Sequence, residues 1–566
     1  MQGAVVCPQP MVAEAALDVL TQGGNAVDAA VTGAMLQGVI DPLMCGPGGY
    51  GVMTIHEAAS RRTTVLDFFG LAPRKTVEGA SGAKLVSEFS RDYGYIVEGG
   101  ENEVGYRSIA TPGTIAGLAL ALEQFGSTPW ATALGPAHAV ARDGYQVTQA
   151  QHEQWNDTDD PDKPGNRTRL AFSDSGRTLY FDRTGGVRAV GETIRNSDLA
   201  STIERLMRAG ADDFYTGELA AAIVADLQAG GSDIDAEDLR AFRPNRTAPL
   251  AGSYRGRRIL VPGFPGGGLS IIQALQVLEL LQRGAPPVWI AGAGVLPVAA
   301  ALGAALEDKY THLAGPRDTE IPLEFLLSAE HTEEMARSVQ AGELLGASVA
   351  DAGFDRETAS TTHIAVIDDH GNAAAVTHTL ASGSGVITAG LGFMFNNFMH
   401  GFDPRPGRWN SLRPGATRPA SMSPGLVLDS TGELLTVFGA SGSTRIVSSL
   451  VQVLAHMADR GWDALRAVSA PRMNVQRGGS VQLEGRFPAA AVRRIGASGR
   501  EAERYPRNYD PYFGKVHILT RAAADQPWDG AADPRADGGV ALLVEQFPPT
   551  EQFSPVAPRP NSEMAS

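Results

Sequence analysis

The sequence predicts an α+β protein. Three observations carry that expectation. Apolar residues recur at helical spacing through the first third and most of the middle. From residue 361 the texture changes to short runs of small and β-branched residues. No repeat of roughly 20–50 residues marks a solenoid or propeller. The shift at about 350–360 is the best internal boundary.

In chain order, "MVAEAALDVLTQGGNAVDAAVTGAMLQGVIDP" predicts a helix, a stop at Gly23–Gly24, and a second helix with Asn25 as N-cap. "CGPGGYGVMTIHEAASRRTTVLDFFG" predicts a turn and two strands. "AGLALALEQFG" and "WATALGPAHAVARDG" predict short helices, each ended by glycine. The middle, about 190–350, reads as helix-rich. It holds two amphipathic helices in "LASTIERLMRAGADDFYTGELAAAIVADLQAGG" and a later one in "EEMARSVQAGELLG". "HIAVID", "AAAVTHTL", "SPGLVLD" and "LLTVFGA" then predict strands, and the Pro- and Ser-rich tail over 547–566 is expected to be disordered.

Bulk properties exclude several classes. A net charge of −16 argues against a nucleic-acid partner, which would want a basic stripe. Two cysteines, Cys7 and Cys45, supply neither a disulfide framework nor a zinc cluster, and no metal or other cofactor is expected. Pro8, Pro10, Glu14 and Asp18 interrupt the start, so no signal peptide is read and a cytoplasmic location is expected. "APPVWIAGAGVLPVAAALGAAL" (285–306) is long enough to span a bilayer. Its three prolines and Ala/Gly composition predict a buried loop and helix instead, and no membrane association. The glycine-rich "GFPGGGLS" lacks the Lys-Ser/Thr of a phosphate loop, and there is no His-Glu-x-x-His pair and no Gly-x-Ser-x-Gly elbow.

The chemistry centres on "TTHIAVIDDHGNAAAVTHTL" (361–380). "DDHGN" is a tight-turn signal. Folded about His370, the two strands set residues whose numbers sum to about 740 opposite each other, so Thr361 meets Thr379 or its neighbour. Cross-strand threonine pairs are also ordinary packing, and the hairpin alone does not establish a site. His363 and His378 read as strand residues.

The same segment resembles the opening of the small subunit of the γ-glutamyltransferase family. Further pieces fit in the family's order: "GGNAVDAAV" (23–31), "GPGGYGVM" (46–53), "TPGTIAGLALALEQFG" (111–126), "DDFYTGELAAAI" (212–223), "GSYRGRRILVPGFPGGGLSIIQALQVLE" (252–279), "FNNFM" (395–399), "RPASMSPGLVL" (418–428) and "GASGSTRI" (439–446). The resemblance spans about 1–540. It implies a four-layer αββα sandwich of the N-terminal nucleophile hydrolase type. It also implies a precursor that cuts itself between Ser360 and Thr361. A large subunit, 1–360, and a small catalytic subunit, 361–546, would then remain together as a heterodimer. Thr361 would be the nucleophile, with its own freed α-amine as base. Thr379 would hold its hydroxyl, and the amides of Gly442 and Ser443 would face the oxyanion. The family usually has a second glycine where Ser443 stands.

The glutamate-recognition set departs from the family. Phe69 stands where an arginine takes the substrate α-carboxylate. Gly401 replaces the acid that holds the α-amino group, and Phe398 a glutamine. Ala381 replaces an asparagine, and Ala420 the first of a serine pair of which Ser421 remains. Substrate-binding positions are therefore expected at Phe69, Ala381, Phe398, Gly401, Ala420 and Ser421, in a more apolar and aromatic pocket that also includes Phe68. Arg107, Arg413 and Arg418 are candidates for a substrate carboxylate, although surface or scaffold roles suit each of them better. The expectation is a self-cleaving threonine hydrolase acting through an acyl-enzyme on a small-molecule, non-glutamyl acyl substrate. Three alternatives stand beside it: a C–C bond hydrolase making a 4-alkylproline-type unit in secondary metabolism, a true γ-glutamyl hydrolase or transferase, and an inactive binding relative.

Overall fold

A computed structural model describes residues 3–76, 84–88, 94–159, 164–284, 290–313, 319–342, 361–476, 479–536 and 538–542. Ser360, the 350–360 boundary and the 547–566 tail lie outside them.

Two sheets make the centre. Along the chain their strands are β1 (Ala4–Cys7), β2 (Tyr50–Glu57), β3 (Arg62–Phe68), β4 (Asn245–Thr247), β5 (Leu250–Tyr254), β6 (Arg257–Val261), β7 (Thr362–Ile367), β8 (Ala373–Thr379), β9 (Gly425–Leu428), β10 (Leu434–Ser441), β11 (Lys515–Thr520), β12 (Asp529–Ala531) and β13 (Gly539–Leu542). The first sheet runs β13-β1-β7-β8-β2-β3-β4, and the second β12-β11-β10-β9-β6-β5. β7 and β8 pack face to face on β10. Helices α1 (Pro10–Thr21), α2 (Ala26–Ile40) and α3 (Thr114–Phe125) cover the outer face of the first sheet. Helices α4 (Gly268–Leu281), α5 (Val295–His312) and α6 (Arg445–Arg460) lie on the second sheet's side. The result is the αββα sandwich that the resemblance implied.

Local rules place the key elements. Asn25 caps α2 by accepting from the amides of Val27 and Asp28, and Asp28 returns the bond to Asn25 N. Every residue of α2 is buried, as befits a helix apolar all round and sandwiched between sheet and outer helices. A Cβ at Gly33 would lie 2.4 Å from Ile364 Cδ1, so glycine lets α2 lie close on β7. Asp368 organises the hairpin turn. It accepts from the amides of His370 (3.0 Å) and Asn372 (2.9 Å), and from Ala26 N (3.1 Å) at the start of α2.

The β7–β8 register is Thr362↔His378 through Ile367↔Ala373, the sum of 740 expected from the turn. The 285–306 segment, where described, enters the buried helix α5, and no helix among the described residues is long and apolar enough to cross a membrane. The middle third differs from expectation, because β4, β5 and β6 lie within it. β5 and β6 join through Arg255 (φ 51°) and Gly256 (φ 74°), two left-handed residues that match the strand twist of a type I′ hairpin. Arg-Gly is a weaker written signal for that turn than Asn-Gly.

Side-chain alternation divides the hairpin's faces. Ile364, Val366, Ala374 and Val376 point into the helix-side core, while Ala365, Ile367, Ala373 and Ala375 pack between the sheets. Thr361, His363, Thr377 and Thr379 share the inter-sheet face. His363 Nδ1 meets Thr377 Oγ1 at 2.9 Å, and a Cβ at Gly439 would lie 2.1 Å from the His363 ring, so Gly439 makes its space.

His363, His378 and His517 are wholly buried. Burial pushes their basicity down: to about 3 for His378, to about 4 for His517, and well below the ordinary value for His363, which also feels His517 and His378. The unfolded chain takes up these protons near the ordinary value of 6.5, and the folded chain does not until far lower. Stability is therefore full above that point and falls as pH drops below it, by about 1.4 kcal/mol per pH unit for each histidine. Urea midpoints measured between about pH 7.5 and pH 5.5 should fall, in a window above the range where unfolded carboxylates titrate. A flat profile would contradict neutral burial of these rings.

Candidate active site

A cavity opens at the end of the sandwich where β7 begins and β8 ends. Thr361, Thr379, Tyr50, Ala381, Ser421 and Ser443 line it, together with His400, Arg418, Ala420, Met422, Thr444 and Ile446. Thr361 Oγ1 donates to Thr379 Oγ1 at 3.2 Å, and Thr379 Oγ1 also accepts from Ala381 N at 2.9 Å. Thr361 N donates to Met44 Sδ at 3.2 Å. Thr361 is 7% exposed and Thr379 3%, so the pair is held away from bulk water. Ala381 carries φ 57°, a left-handed conformation costly for any residue with a Cβ.

Register explains what faces this cavity. β8 pairs with β2 so that Thr379 lies opposite Tyr50, and β2 with β3 so that Gly51 lies opposite Phe68. Continuing those registers by one residue gives a row across the sheet of Thr361, Thr379, Tyr50 and Phe69. Tyr50 is thus the aromatic ring at the cavity. Phe69 and Phe398 are fully buried behind it, with ring centroids 6.0 Å and 4.6 Å from Tyr50, and neither lines the cavity. Phe68 points the other way, onto α3, where a Cβ at Gly117 would lie 2.2 Å from its ring. The expectation that these three phenylalanines line the pocket is therefore corrected.

Arg107 is also displaced from the site. Its side chain is 57% exposed and pairs with Glu101 at 2.9 Å on the surface. Gly401 is buried but is not a lining residue. A Cβ there would lie 2.4 Å from Arg418 Nε. Arg418 itself, read from sequence as better suited to a scaffold role, lines the cavity while 6% exposed.

The two asparagines of "FNNFM" are clamps. Asn396 Oδ1 accepts from the amides of Ala110 and Phe398, and its Nδ2 donates to Gly48 O at 2.8 Å. Asn397 Oδ1 accepts from Ser382 N at 2.8 Å. Together they fix the chain on either side of the threonine pair. His400 Nδ1 donates to Asn397 O at 2.6 Å, which leaves Nε2 as the acceptor of that ring. Ser421 Oγ accepts from the buried Lys309 Nζ at 3.0 Å.

The opposite wall is the turn between β10 and α6. Gly442 has φ 137° and Ser443 φ 52°. A Cβ at Gly442 would lie 2.7 Å from Gly514 Cα, so only glycine fits there. Ser443 holds a conformation that costs a non-glycine residue about 1–2 kcal/mol, consistent with the glycine the family usually places there. Neither amide donates to an acceptor among the described residues, and α6 begins two residues later with its positive end at the cavity. Such donors suit a developing oxyanion.

Sequence reasoning missed Tyr50, Met44, His400, Met422, Thr444, Ile446 and Lys309. Tyr50 lies within the quoted "GPGGYGVM", and pairing that strand beside β8 would have found it.

The layer order, with a cavity at the head of an inner strand, places the fold among the N-terminal nucleophile hydrolases. Comparison with known proteins agrees. Residues 12–543 match the Gamma-glutamyltranspeptidase family, and the chain belongs to it. It is 31% identical over 542 residues to Acylase ACY 1 proenzyme of Pseudomonas sp. (strain V22), covering 95% of this chain and 93% of that one. Glutathione hydrolase proenzyme of Escherichia coli (strain K12) is 29% identical over 490 residues, covering 84% and 81%. Among solved structures, the cephalosporin acylase of Bacillus halodurans has a TM-score of 0.82 at 25% identity, over 95% of each chain. Helicobacter pylori gamma-glutamyltranspeptidase has a TM-score of 0.51 at 26% identity, over 59% of this chain and 90% of that one. The protein is thus a hydrolase or acyltransferase of this family.

Proposed function

We propose that this protein is a self-cleaving threonine hydrolase that removes a non-glutamyl acyl group from an amide through a Thr361 acyl-enzyme. The observation that carries the reading is the Thr361–Thr379 hydroxyl contact of 3.2 Å at a cavity faced by the Gly442 and Ser443 turn. The acylase names of two relatives support an acyl group other than glutamyl. So does the cavity wall, where Ala381 and Ala420 supply no polar side-chain group.

In maturation the Thr361 hydroxyl attacks the Ser360 carbonyl. The C–N bond breaks, an ester forms, and water hydrolyses it to leave chain 1–360 and a Thr361 α-amine. The two chains remain one heterodimer, because β7 stays paired with β1 of the other chain. In turnover the amine removes the hydroxyl proton directly or through one water as oxygen attacks the substrate carbonyl. Met44 Sδ accepts from the Thr361 nitrogen at 3.2 Å and holds it beside the hydroxyl. The oxyanion faces the two amides, the leaving amine takes the proton, and water then releases the acid.

Intact mass under denaturing conditions tests the first step. Two chains meeting between Ser360 and Thr361 are expected, and a single chain stable for days would remove the catalytic reading. Incubation with an acyl p-nitroanilide should then add the acyl mass to the small chain only. Thr379→Ala removes the acceptor of the Thr361 hydroxyl. It should lower the single-turnover acylation rate by about tenfold to a hundredfold, with Thr379→Ser restoring most of it.

A further inference from the structure

The head of β7 lacks a strand on one side. β1 pairs with β7 at Val6↔Ala365, Val5↔Val366 and Ala4↔Ile367, and its register on β7 goes no further toward Thr361. The chain leaves β1 at Cys7 and enters α1 at Pro10. β8 covers the other side of β7 from Thr362 onward. Thr362, His363 and Ile364 are therefore laddered on one side only, and Thr361 stands just ahead of them. Cutting before Thr361 removes the covalent hold on that end, and an unheld strand end frays.

A buried glutamine fills the gap. Gln37, in α2, is 0% exposed, as are Thr362 and His378. Its Nε2 hydrogens are shared among Thr362 Oγ1 at 3.0 Å, His363 O at 3.3 Å and Gln9 Oε1 at 2.8 Å. His363 O can only accept, which fixes the orientation of the amide. Gln37 Oε1 then accepts from His378 Nε2 at 3.0 Å. Gln9 backs the contact, because its Nε2 donates to Asp41 Oδ2 at 2.8 Å and to Thr362 Oγ1 at 3.4 Å. Thr362 and His378 lie directly opposite each other across β7 and β8. They are also the chain neighbours of Thr361 and Thr379. One side-chain amide thus bridges the cross-strand pair beside the two site hydroxyls, from the opposite face of the sheet. An apolar side chain would pack in so buried a helix without a polar group to satisfy, so the amide is there for its hydrogen bonds.

We propose that Gln37 is a positioning residue for the Thr361 nucleophile, holding the head of β7 in place of the missing strand before and after the chain is cut. This rests on the proposed threonine-nucleophile reading. It makes a side chain of the large chain a working part of the small chain's nucleophile.

The test uses Gln37→Met, which keeps the length and removes the amide, and Thr362→Val, which keeps the branched shape and removes the hydroxyl. Gln37→Met should slow self-cleavage, read by intact mass, and kcat on an acyl p-nitroanilide by about tenfold to a hundredfold, with KM within about twofold of wild type. Thr362→Val should show a smaller loss of the same kind, and Thr362→Ser should restore it. In the double variant the losses should not add, because both changes remove one contact. Wild-type cutting and kcat in Gln37→Met would overturn the proposal even with a lower urea midpoint, since that pattern belongs to a purely structural residue. If Gln37→Met does not fold, Thr362→Val decides, and wild-type cutting and kcat there overturn the proposal. Hydrogen exchange read by mass spectrometry separates this proposal from the nucleophile reading. Amides 362–364 should exchange at least about tenfold faster in Gln37→Met, with 365–367 unmoved. That result beside an uncut, inactive wild type would support the clamp, and the nucleophile reading would fail by itself. Exchange equal to that of the wild type would overturn the clamp.

Discussion

Thr361→Ala is expected to leave the purified protein as a single 566-residue chain with acyl hydrolysis reduced by at least about 1000-fold. One hydroxyl is asked to do two jobs, cutting the chain and attacking the substrate, and the neighbouring hydroxyl of Thr379 cannot take over. Thr379 lies 3.2 Å away but already accepts from Ala381 N, and the proposed cut at Ser360–Thr361 leaves it inside the small chain, so it has no route to a free α-amine. The fold should survive the change. Thr361 stands just ahead of β7, whose pairing from Thr362 onward is made by backbone groups. Intact mass and a p-nitroanilide assay read both effects, and circular dichroism confirms folding. Thr361→Ser keeps the hydroxyl and should still cut, more slowly, because loss of the β-methyl frees the side-chain rotamer. Cleavage at the same bond in Thr361→Ala would move the nucleophile elsewhere and overturn the assignment.

The hairpin was legible because two local facts determine it. The Asp-Asp-His-Gly-Asn turn sets the register, and the two-residue period of a strand decides which side chains share a face. Thr361 opposite Thr379 needed nothing beyond those. The helices of the first third were legible for a similar reason, since Asn25 and the Gly23–Gly24 stop act within a few residues. The pocket's walls were harder because they depend on contacts distant in sequence. Tyr50 reaches the cavity through the pairing of β2 with β8, more than 300 residues away, and the same row pushes Phe69 behind it. The place of Arg418 at the cavity was not legible because it depends on the absence of a side chain at Gly401. The strands β5 and β6 were lost in a helix-rich stretch because their turn is made by Arg255 and Gly256, whose positive φ angles leave little trace in composition.

Asp533→Ala should cost about 3–5 kcal/mol of stability, the range for breaking a buried ion pair by removing one partner. Asp533 is 1% exposed and receives Arg472 Nη1 at 2.7 Å, Arg535 Nη1 at 3.0 Å and Val516 N at 2.7 Å. Burial raises its carboxyl pKa, but Arg472 and Arg535 together more than reverse this and hold it below the usual carboxylate range. Removing the carboxylate strands the Arg472 guanidinium, whose other hydrogen bonds go to carbonyls, and leaves Arg535 with Glu484 as its remaining carboxylate beside the carbonyls of Val468 and Ala470. The damage should reach the active site along a short path. Arg472 Nη1 donates to Gly514 O at 2.7 Å, and Gly514 Cα stands 2.7 Å from the position a Gly442 Cβ would take. Loosening Gly514 loosens the turn that aims the Gly442 and Ser443 amides. Asp533→Ala should therefore lower the urea midpoint and also slow acylation under conditions where the protein is still folded. Asp533→Asn, which keeps the shape and the acceptor oxygen but not the charge, should show a smaller version of both effects. A urea midpoint equal to that of the wild type in Asp533→Ala would mean that the guanidinium groups find water or another partner, and that this network does not hold the wall of the site.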